Sequence, residues 1–203
     1  IAVAAQDSTL KVFADIGDAT NGGSYGDSTE LLRGLLESNH ELRAIFTITD
    51  PAAVAKLWGK GGGATKITLG TGSKFEYNES ADCEIRVLAE CERKVIYTHP
   101  AAKNVTGSPG KSLFVVISHP VSQIFAVIHE NPVRVIDGSL YELHGVNILD
   151  YTLVQAKSHV SFKAGFAPFT ENFILANTRG PTTADLLSLD FSLRTIPTYP
   201  FDL

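Results

Sequence analysis

Two turns of the chain carry residues whose types and spacing could do chemistry, and the first is the glycine-rich stretch 14–29, ADIGDATNGGSYGDST. Its candidate binding residues are Gly22, Gly23, Gly26, Asp27 and Ser28. Glycines permit positive φ and close approach of the backbone to a ligand, and free N–H groups at a helix start favour an anion. Asp27, however, is predicted to cap the following helix in a capping box with Glu30, and its carboxylate would repel phosphate. The stretch is therefore either a structural bend or a surface for a polar ligand or a neighbouring domain.

The second turn is Lys157-Ser158-His159, directly after an apolar run at 151–156. Polar and titratable residues at the carboxyl end of a strand occupy the place where open α/β sheets bind ligands. The alternative is that Ser158 caps the next helix and Lys157 is solvated, in which case the lysine contributes little to stability. We therefore treat Lys157, Ser158 and His159 as candidate substrate or interface residues, with both interpretations open.

The remaining residues form no recognisable catalytic set, so we assign no catalytic residue and no metal ligand. The stretch 107–112 ends in Gly-Lys-Ser like a P-loop, but Val105 stands where that motif needs glycine, and a strand follows instead of a helix. The histidines lack the i, i+4 spacing of a helical metal site. His119 and His129 could approach each other across a hairpin, although exposed positions at strand ends are the preferred interpretation.

The hydrophobic pattern predicts an α/β fold: a mixed sheet with flanking helices, β-α-β-α at both ends, and an antiparallel β-rich middle. Strands are predicted over 11–16, 41–49, 65–69, 83–88, 94–98, 113–118, 123–129, 151–156 and 172–176, and helices over 28–38, 51–58, 160–166 and 182–189. Asp50 is the expected N-cap and Pro51 the first residue of the second helix. The proline- and aromatic-rich stretch 194–203 should lie extended on the surface.

Both polar turns should lie at one edge of this sheet, within one cleft. Each follows a strand and precedes a helix, so right-handed crossovers bring both to the carboxyl edge if the strands 11–16 and 151–156 are parallel. Asp27 and Lys157 would then be close enough to share a ligand or a salt bridge.

Composition indicates one domain over 1–203 and excludes some partners. The net charge of −5 argues against nucleic acid and anionic membranes, and no apolar stretch is long enough to span a bilayer. Cys83 and Cys91 are predicted to lie on one face of one strand, too far apart to bond, as reduced thiols of a cytoplasmic protein. Because the chain starts at Ile1 and contains no methionine, we expect it to be part of a longer protein.

Three segments resemble the C-terminal domain of the microcystinase C (MlrC)-type zinc metallopeptidases, over nearly the whole chain. They are the glycine stretch 18–27, the segment Lys157, Ser158, Phe162, Lys163, Ala164, Phe166 and Pro168, and the stretches 180–186 and 194–202. The sequence departs from the family pattern at Ala19, Thr20, Asn21, Ser161 and Thr195.

The resemblance implies an accessory domain of an enzyme that hydrolyses small linear or cyclic peptides, as in microcystin degradation. It places the zinc in an upstream metallopeptidase domain of the same parent protein, so this chain would hold no cofactor and be inactive alone. Its role would be to help shape the substrate cleft through the two turns. The alternatives are a non-catalytic binding or assembly module of unknown ligand and, third, a small-molecule enzyme using Lys157 and His159. Homo-oligomerisation stays open.

Overall fold

The fold is built on one eight-stranded mixed sheet with the strand order β10-β1-β9-β2-β8-β7-β4-β3, beside a small β5-β6 sheet. The computed structural model describes residues 1–71 and 78–202. The strands are β1 Lys11–Asp15, β2 Arg43–Thr49, β3 Thr65–Leu69, β4 Ala81–Cys91, β5 Val95–Ile96, β6 Thr106–Gly107, β7 Ser112–Ile117, β8 Gln123–His129, β9 Leu153–Ala156 and β10 Phe173–Ala176. The helices are α1 Glu30–Leu36, α2 Pro51–Leu57, α3 Ser139–Glu142 and α4 Phe162–Phe166.

The sheet has a parallel half and an antiparallel half, which confirms the predicted α/β class. β1 pairs in parallel with both β9 and β10, and β2 with both β8 and β9. β8, β7, β4 and β3 continue the sheet as antiparallel neighbours. The two polar turns follow β1 and β9, which are adjacent and parallel, so they emerge at the same edge as predicted.

Apolar layers cover both faces of the sheet, as a buried parallel sheet requires. One layer contains α1 and α2, whose Leu32, Leu35 and Val54 pack with sheet residues such as Phe46. The other contains α3 and α4, and its largest members include Tyr141. The two layers fix the sheet, and therefore the positions of the turns at its carboxyl edge.

The second helix starts as predicted, but the first does not. Asp50 caps α2 by accepting the N–H of Ala53 at 2.9 Å. The predicted capping box is wrong, because α1 begins at Glu30 with Thr29 as its N-cap and no side-chain cap bond. The physical reason is tertiary: the N–H of Ser28 is held by the carboxylate of Asp18, so this part of the chain stays in the loop.

The helix predicted over 182–189 is also wrong. Only one turn of 3-10 helix forms there, Leu186–Ser188, and none of its residues is buried. The side chain of Asn177 accepts the N–H of Ala184 at 3.2 Å, which ties the start of this stretch to the end of β10 instead. A short helix needs tertiary packing of an apolar face, whereas Leu186, Leu187 and Leu189 stay exposed at 46%, 67% and 37%.

Two smaller expectations can be compared with the structure. Cys83 and Cys91 both lie on β4 as predicted, and both are free thiols. The predicted common face is wrong, because the register of β4 shifts between Val87 and Ala89 and this bulge turns Cys91 to the face opposite Cys83. In the described ranges 1–71 and 78–202, no helix is long and apolar enough to cross a membrane.

Candidate functional site

Lys157 lies at the centre of the carboxyl edge and is almost completely buried. Its side chain is 1% exposed, and its Nζ lies 2.6 Å from Oδ2 of Asp18 and 3.6 Å from Oδ2 of Asp15. β9 ends one residue before Lys157, and β1 ends at Asp15, so the parallel pairing of these strands brings the three charges together. The interpretation of Lys157 as a solvated lysine is therefore wrong.

Asp18 connects this ion pair to the glycine loop, which we define as residues 17–29. Its carboxylate accepts the N–H of Gly26 and the N–H of Ser28, each at 2.9 Å, and the hydroxyl of Ser24. One carboxylate thus holds both the lysine and the returning arm of the loop. The conformation of the loop depends directly on a pair that is hidden from solvent.

Asp15 links the same cluster to the interior of the sheet. Its Oδ1 accepts the N–H of Asp18 at 3.1 Å and the hydroxyl of Thr178. Its Oδ2 accepts the side-chain amide of Gln155 at 3.3 Å, and the amide oxygen of Gln155 in turn accepts the N–H of Thr47 at 3.1 Å. A continuous line of buried polar groups therefore runs from the loop into β9 and β2.

The charges in this cluster shift one another's pKa values. Burial would by itself lower the pKa of Lys157, but the carboxylates of Asp18 and Asp15 outweigh it and hold that pKa above its ordinary value. Burial likewise favours a raised pKa for Asp18, yet the Lys157 ammonium and the donors at Ser24 and Ser28 bring it below normal. For Asp15, burial and the nearby Asp18 prevail and raise the pKa.

Lys157 is consequently an ammonium ion that carries no lone pair at neutral pH. It cannot act as a base or a nucleophile in this arrangement, which disfavours an enzyme built on Lys157 and His159. What the arrangement can do is hold the loop rigidly.

The glycine loop has a buried arm and an exposed arc. Gly26 is buried at φ +82°, and a Cβ there would lie 2.6 Å from Cγ2 of Thr20, so only glycine fits. Gly22, Gly23 and Tyr25 are exposed. Gly23 has φ +104° and open space on the side where a Cβ would stand. The arc therefore presents backbone and one aromatic ring to solvent from a fixed base.

His159 and Thr182 close the opposite side of the loop. Nε2 of half-buried His159 lies 2.7 Å from the carbonyl oxygen of Thr182. The hydroxyl of Thr182 accepts the N–H of Ala19 at 2.9 Å and lies 2.8 Å from the carbonyl oxygen of Gly17, to which it donates. A Cβ on Gly22 would lie 3.0 Å from the His159 ring, so the two candidate turns are in contact.

The structure brings most of the predicted site residues together. Asp27 is 5% exposed, and a Cβ on the adjacent Gly26 would lie 3.7 Å from Cδ of Lys157, so the predicted proximity of the two turns is confirmed. The charge of Asp27 also helps to raise the pKa of Lys157. Ser158 is buried with its Oγ unpartnered within the described residues, and α4 has Ser161 as its N-cap, so the predicted cap role of Ser158 is wrong.

Sequence reasoning missed Asp15, Asp18, Gln155 and Thr182. Asp15 and Asp18 stand at the end of an apolar run that was correctly predicted as a strand, and a lysine ends the parallel strand. Two acidic residues after one predicted strand and a lysine after another could have indicated a buried ion pair, and so could have revealed Asp15 and Asp18.

The interpretation of His129 as an exposed strand-end residue is wrong, and His119 and His129 do not pair. His129 is 1% exposed, with Nε2 lying 2.9 Å from the hydroxyl of Thr47 and Nδ1 lying 2.8 Å from the carbonyl oxygen of Asn131. In the hairpin of β7 and β8, Ser112 faces His129 and Ile117 faces Ile124. His119 lies beyond Ile117 at the closed end of that hairpin, away from His129.

The residues of this edge do not fit a metal ion. Among residues 1–71 and 78–202, no group of three or more His, Cys, Asp or Glu side chains is placed to hold one. The carboxylates of Asp15 and Asp18 are occupied by an ammonium ion and by N–H and hydroxyl donors, which a cation would have to displace. The chemistry available here is positioning and recognition.

The fold and the site define an α/β domain with a pre-organised glycine loop at the carboxyl edge of its sheet. The chain belongs to the MlrC C-terminus family, whose profile matches residues 13–192. No curated protein matches the sequence.

A solved structure has the same fold. It is that of a proposed metallopeptidase from Mesorhizobium sp. BNC1, with a TM-score of 0.85 and 22% sequence identity. The match covers 100% of this chain but only 40% of that protein, so this chain corresponds to less than half of the length of its structural relative.

Proposed function

We propose that this chain is the accessory C-terminal domain of a larger metallopeptidase and that its glycine loop forms one wall of the substrate cleft. The observation that carries the proposal is the buried ion pair of Lys157 and Asp18, which fixes a loop whose outer arc is exposed. A loop that is rigid before binding avoids the entropic cost of ordering it in the complex. The family and the structural relative support a longer parent protein.

The proposed substrates are small linear or cyclic peptides. The N–H groups of Gly22 and Gly23 already donate to the carbonyl oxygens of Ala19 and Thr20, so in this proposal the substrate's backbone N–H groups donate to carbonyl oxygens of the exposed arc. Tyr25, which is 37% exposed, offers an aromatic surface with a hydroxyl group at the same place. The metal, zinc according to the resemblance, is assigned in this proposal to the preceding part of the parent protein. This chain then contributes recognition and no catalytic residue.

A pair of matched glycine variants tests the role of the arc in the parent protein. Gly23→Ala adds a methyl group at a positive φ with open space around it, and Gly61→Ala does the same in the loop after α2, at φ +74°. Because both changes introduce similar backbone strain, a difference in activity between the two variants reflects where the methyl group lies and not a loss of stability.

The measurement is hydrolysis of a panel of linear and cyclic peptides by zinc-loaded parent protein. We expect kcat/KM to fall about tenfold or more for Gly23→Ala, equal to roughly 1.4 kcal/mol, and to stay near wild type for Gly61→Ala. Equal losses in both variants contradict a cleft role for the loop. If the wild-type parent hydrolyses none of the peptides, the proposal of a peptidase domain fails, and the alternative of a binding or assembly module replaces it.

A further inference from the structure

The last part of the chain exposes an unusual amount of apolar surface. Every residue from 184 to 199, here called the C-terminal segment, is exposed. Its large apolar side chains, with their exposed fractions, are Leu186 46%, Leu187 67%, Leu189 37%, Phe191 43%, Leu193 93%, Ile196 71% and Tyr199 78%. Scattered exposed leucines are ordinary, but a continuous run of this kind marks an interaction surface.

Contacts near the end of the chain give the C-terminal segment a definite shape. The rings of Phe191 and Phe201 lie 4.9 Å apart, and the guanidinium of Arg194 lies 4.5 Å from the centre of the Phe201 ring. Arg194 also pairs with Asp202 at 3.2 Å. These contacts tie the middle of the segment, at Phe191 and Arg194, to the residues that follow it and leave its leucines and Ile196 facing solvent.

The C-terminal segment starts directly beside the glycine loop. Thr182, two residues before it, bonds to Gly17 and Ala19 of the loop. A Cβ on Gly180 would lie 1.9 Å from the carbonyl oxygen of Gly17, so the two backbones are in close contact there. A single partner that covers the segment therefore also reaches the arc of the loop.

We infer that the C-terminal segment is the docking surface for the preceding region of the parent protein, and that docking there places that region over the glycine loop. The inference rests on the proposed function for the existence of such a region. The structural relative matches this chain over its full length, segment included, while more than half of that longer chain lies outside the match. The longer protein thus has chain available to cover the surface.

The charges of the C-terminal segment indicate which kind of partner surface can cover it. Within the described residues, Arg194 is paired with Asp202, whereas Asp185 and Asp190 form no ion pair. The complementary face is therefore apolar with basic residues at its rim. A second copy of this chain fits less well, because a two-fold dimer through the segment would bring its unpaired acidic residues towards their own copies.

The test uses the parent protein with a specific protease site inserted just before Ile1. After cleavage, co-elution on size exclusion and the apparent Kd report whether the two parts stay together. The disruptive variant is Leu187→Asp/Leu193→Asp/Ile196→Asp. The matched control is Ile96→Asp/Val121→Asp/Leu149→Asp, three exposed apolar residues elsewhere, at 61%, 44% and 56%.

We expect the parts of wild type and control to remain associated, and the apparent Kd of the disruptive variant to rise about a hundredfold or more. Unchanged affinity in that variant, immediate separation of the wild-type parts, or self-association of this chain into a dimer each overturns the inference. If the variant fails to fold by circular dichroism, amide exchange of wild type decides: 184–199 must exchange more slowly in the joined protein than after separation.

These outcomes are distinguishable from failure of the proposed function. Peptide hydrolysis by the uncut parent is measured in parallel. If the parent is inactive but its parts stay together through the segment, the docking inference holds and the proposed peptidase function is contradicted. If the parent is active but its parts separate freely, only the docking inference is contradicted.

Discussion

The glycine loop and the start of the C-terminal segment lie side by side at the carboxyl edge of the sheet. Together they reverse the usual pattern in which charged side chains are exposed and apolar side chains are buried. The loop is held by charges that are almost fully buried, with Lys157 and Asp18 each 1% exposed. The segment next to it leaves Leu193 93% exposed. Charged groups are thus inside and large apolar groups outside, within one small region.

The difference indicates that the loop is stabilised within this chain, whereas the segment still needs a partner to cover its apolar side chains. Burying an ion pair is costly unless its hydrogen bonds are satisfied, and here they fix one loop conformation within the chain itself. Exposed apolar residues leave burial free energy unrealised until a partner covers them. The loop therefore has its final conformation in the isolated chain, and the apolar side chains of the segment become buried only in the assembled protein.

Removing the buried lysine should have the largest effect. Lys157→Met leaves the carboxylates of Asp18 and Asp15 buried without their cation, so we expect the free energy of unfolding to fall by about 3–5 kcal/mol. Lys163→Met, at an exposed lysine of α4, is the control and should change it by less than about 0.5 kcal/mol. Urea unfolding of both variants gives the comparison. A loss below about 1 kcal/mol for Lys157→Met would show that the loop does not depend on the pair.

The next effect is a loss of stability in acid through the buried polar line that ends at His129. Burial and the nearby Lys157 ammonium lower the pKa of His129 to about 4, below the 6.5 of an unfolded chain. Between these values the unfolded chain binds a proton that the folded chain does not. The stabilisation is therefore complete above about pH 6.5 and is lost as the pH falls towards 4, by roughly 3 kcal/mol at most.

Unfolding free energies measured from pH 8 to pH 4 check this dependence. Burial also lowers the pKa of His144 to about 4, with Arg93 as a second cause, so His144 contributes in the same direction. His129→Gln should accordingly reduce the slope between pH 6.5 and 4 without abolishing it. An unchanged slope means that His129 takes up its proton without disturbing the folded state.

The smallest effect should come from the C-terminal segment. In this chain alone, Leu187→Ser and Leu193→Ser should each change the free energy of unfolding by no more than about 0.5 kcal/mol, because both side chains already face solvent. Leu35→Ala, at a fully buried position in α1, is the contrast and should cost about 2–5 kcal/mol. Thermal or urea unfolding measures all three. A large loss in either serine variant would mean that the segment is part of the folding core.

The sequence by itself determined the α/β class, the central strands and the place of the two turns. Alternation and apolar runs are local signals, so β3 and β8 agree residue for residue with prediction. The start of α2 also followed from local chemistry, since Asp50 and Pro51 act within one helical turn.

Only the tertiary structure decided where charge is buried and where apolar surface is not. Asp18 and Lys157 are 139 residues apart in sequence, and no local pattern reports that their strands are adjacent. The failed capping box at Asp27 and the missing helix at 182–189 have the same origin. In the first, a distant carboxylate accepts the N–H of Ser28, and in the second the leucines stay exposed and do not pack into either apolar layer of the described chain. Burial depends on which elements meet, and that is a property of the assembled sheet and not of any single segment.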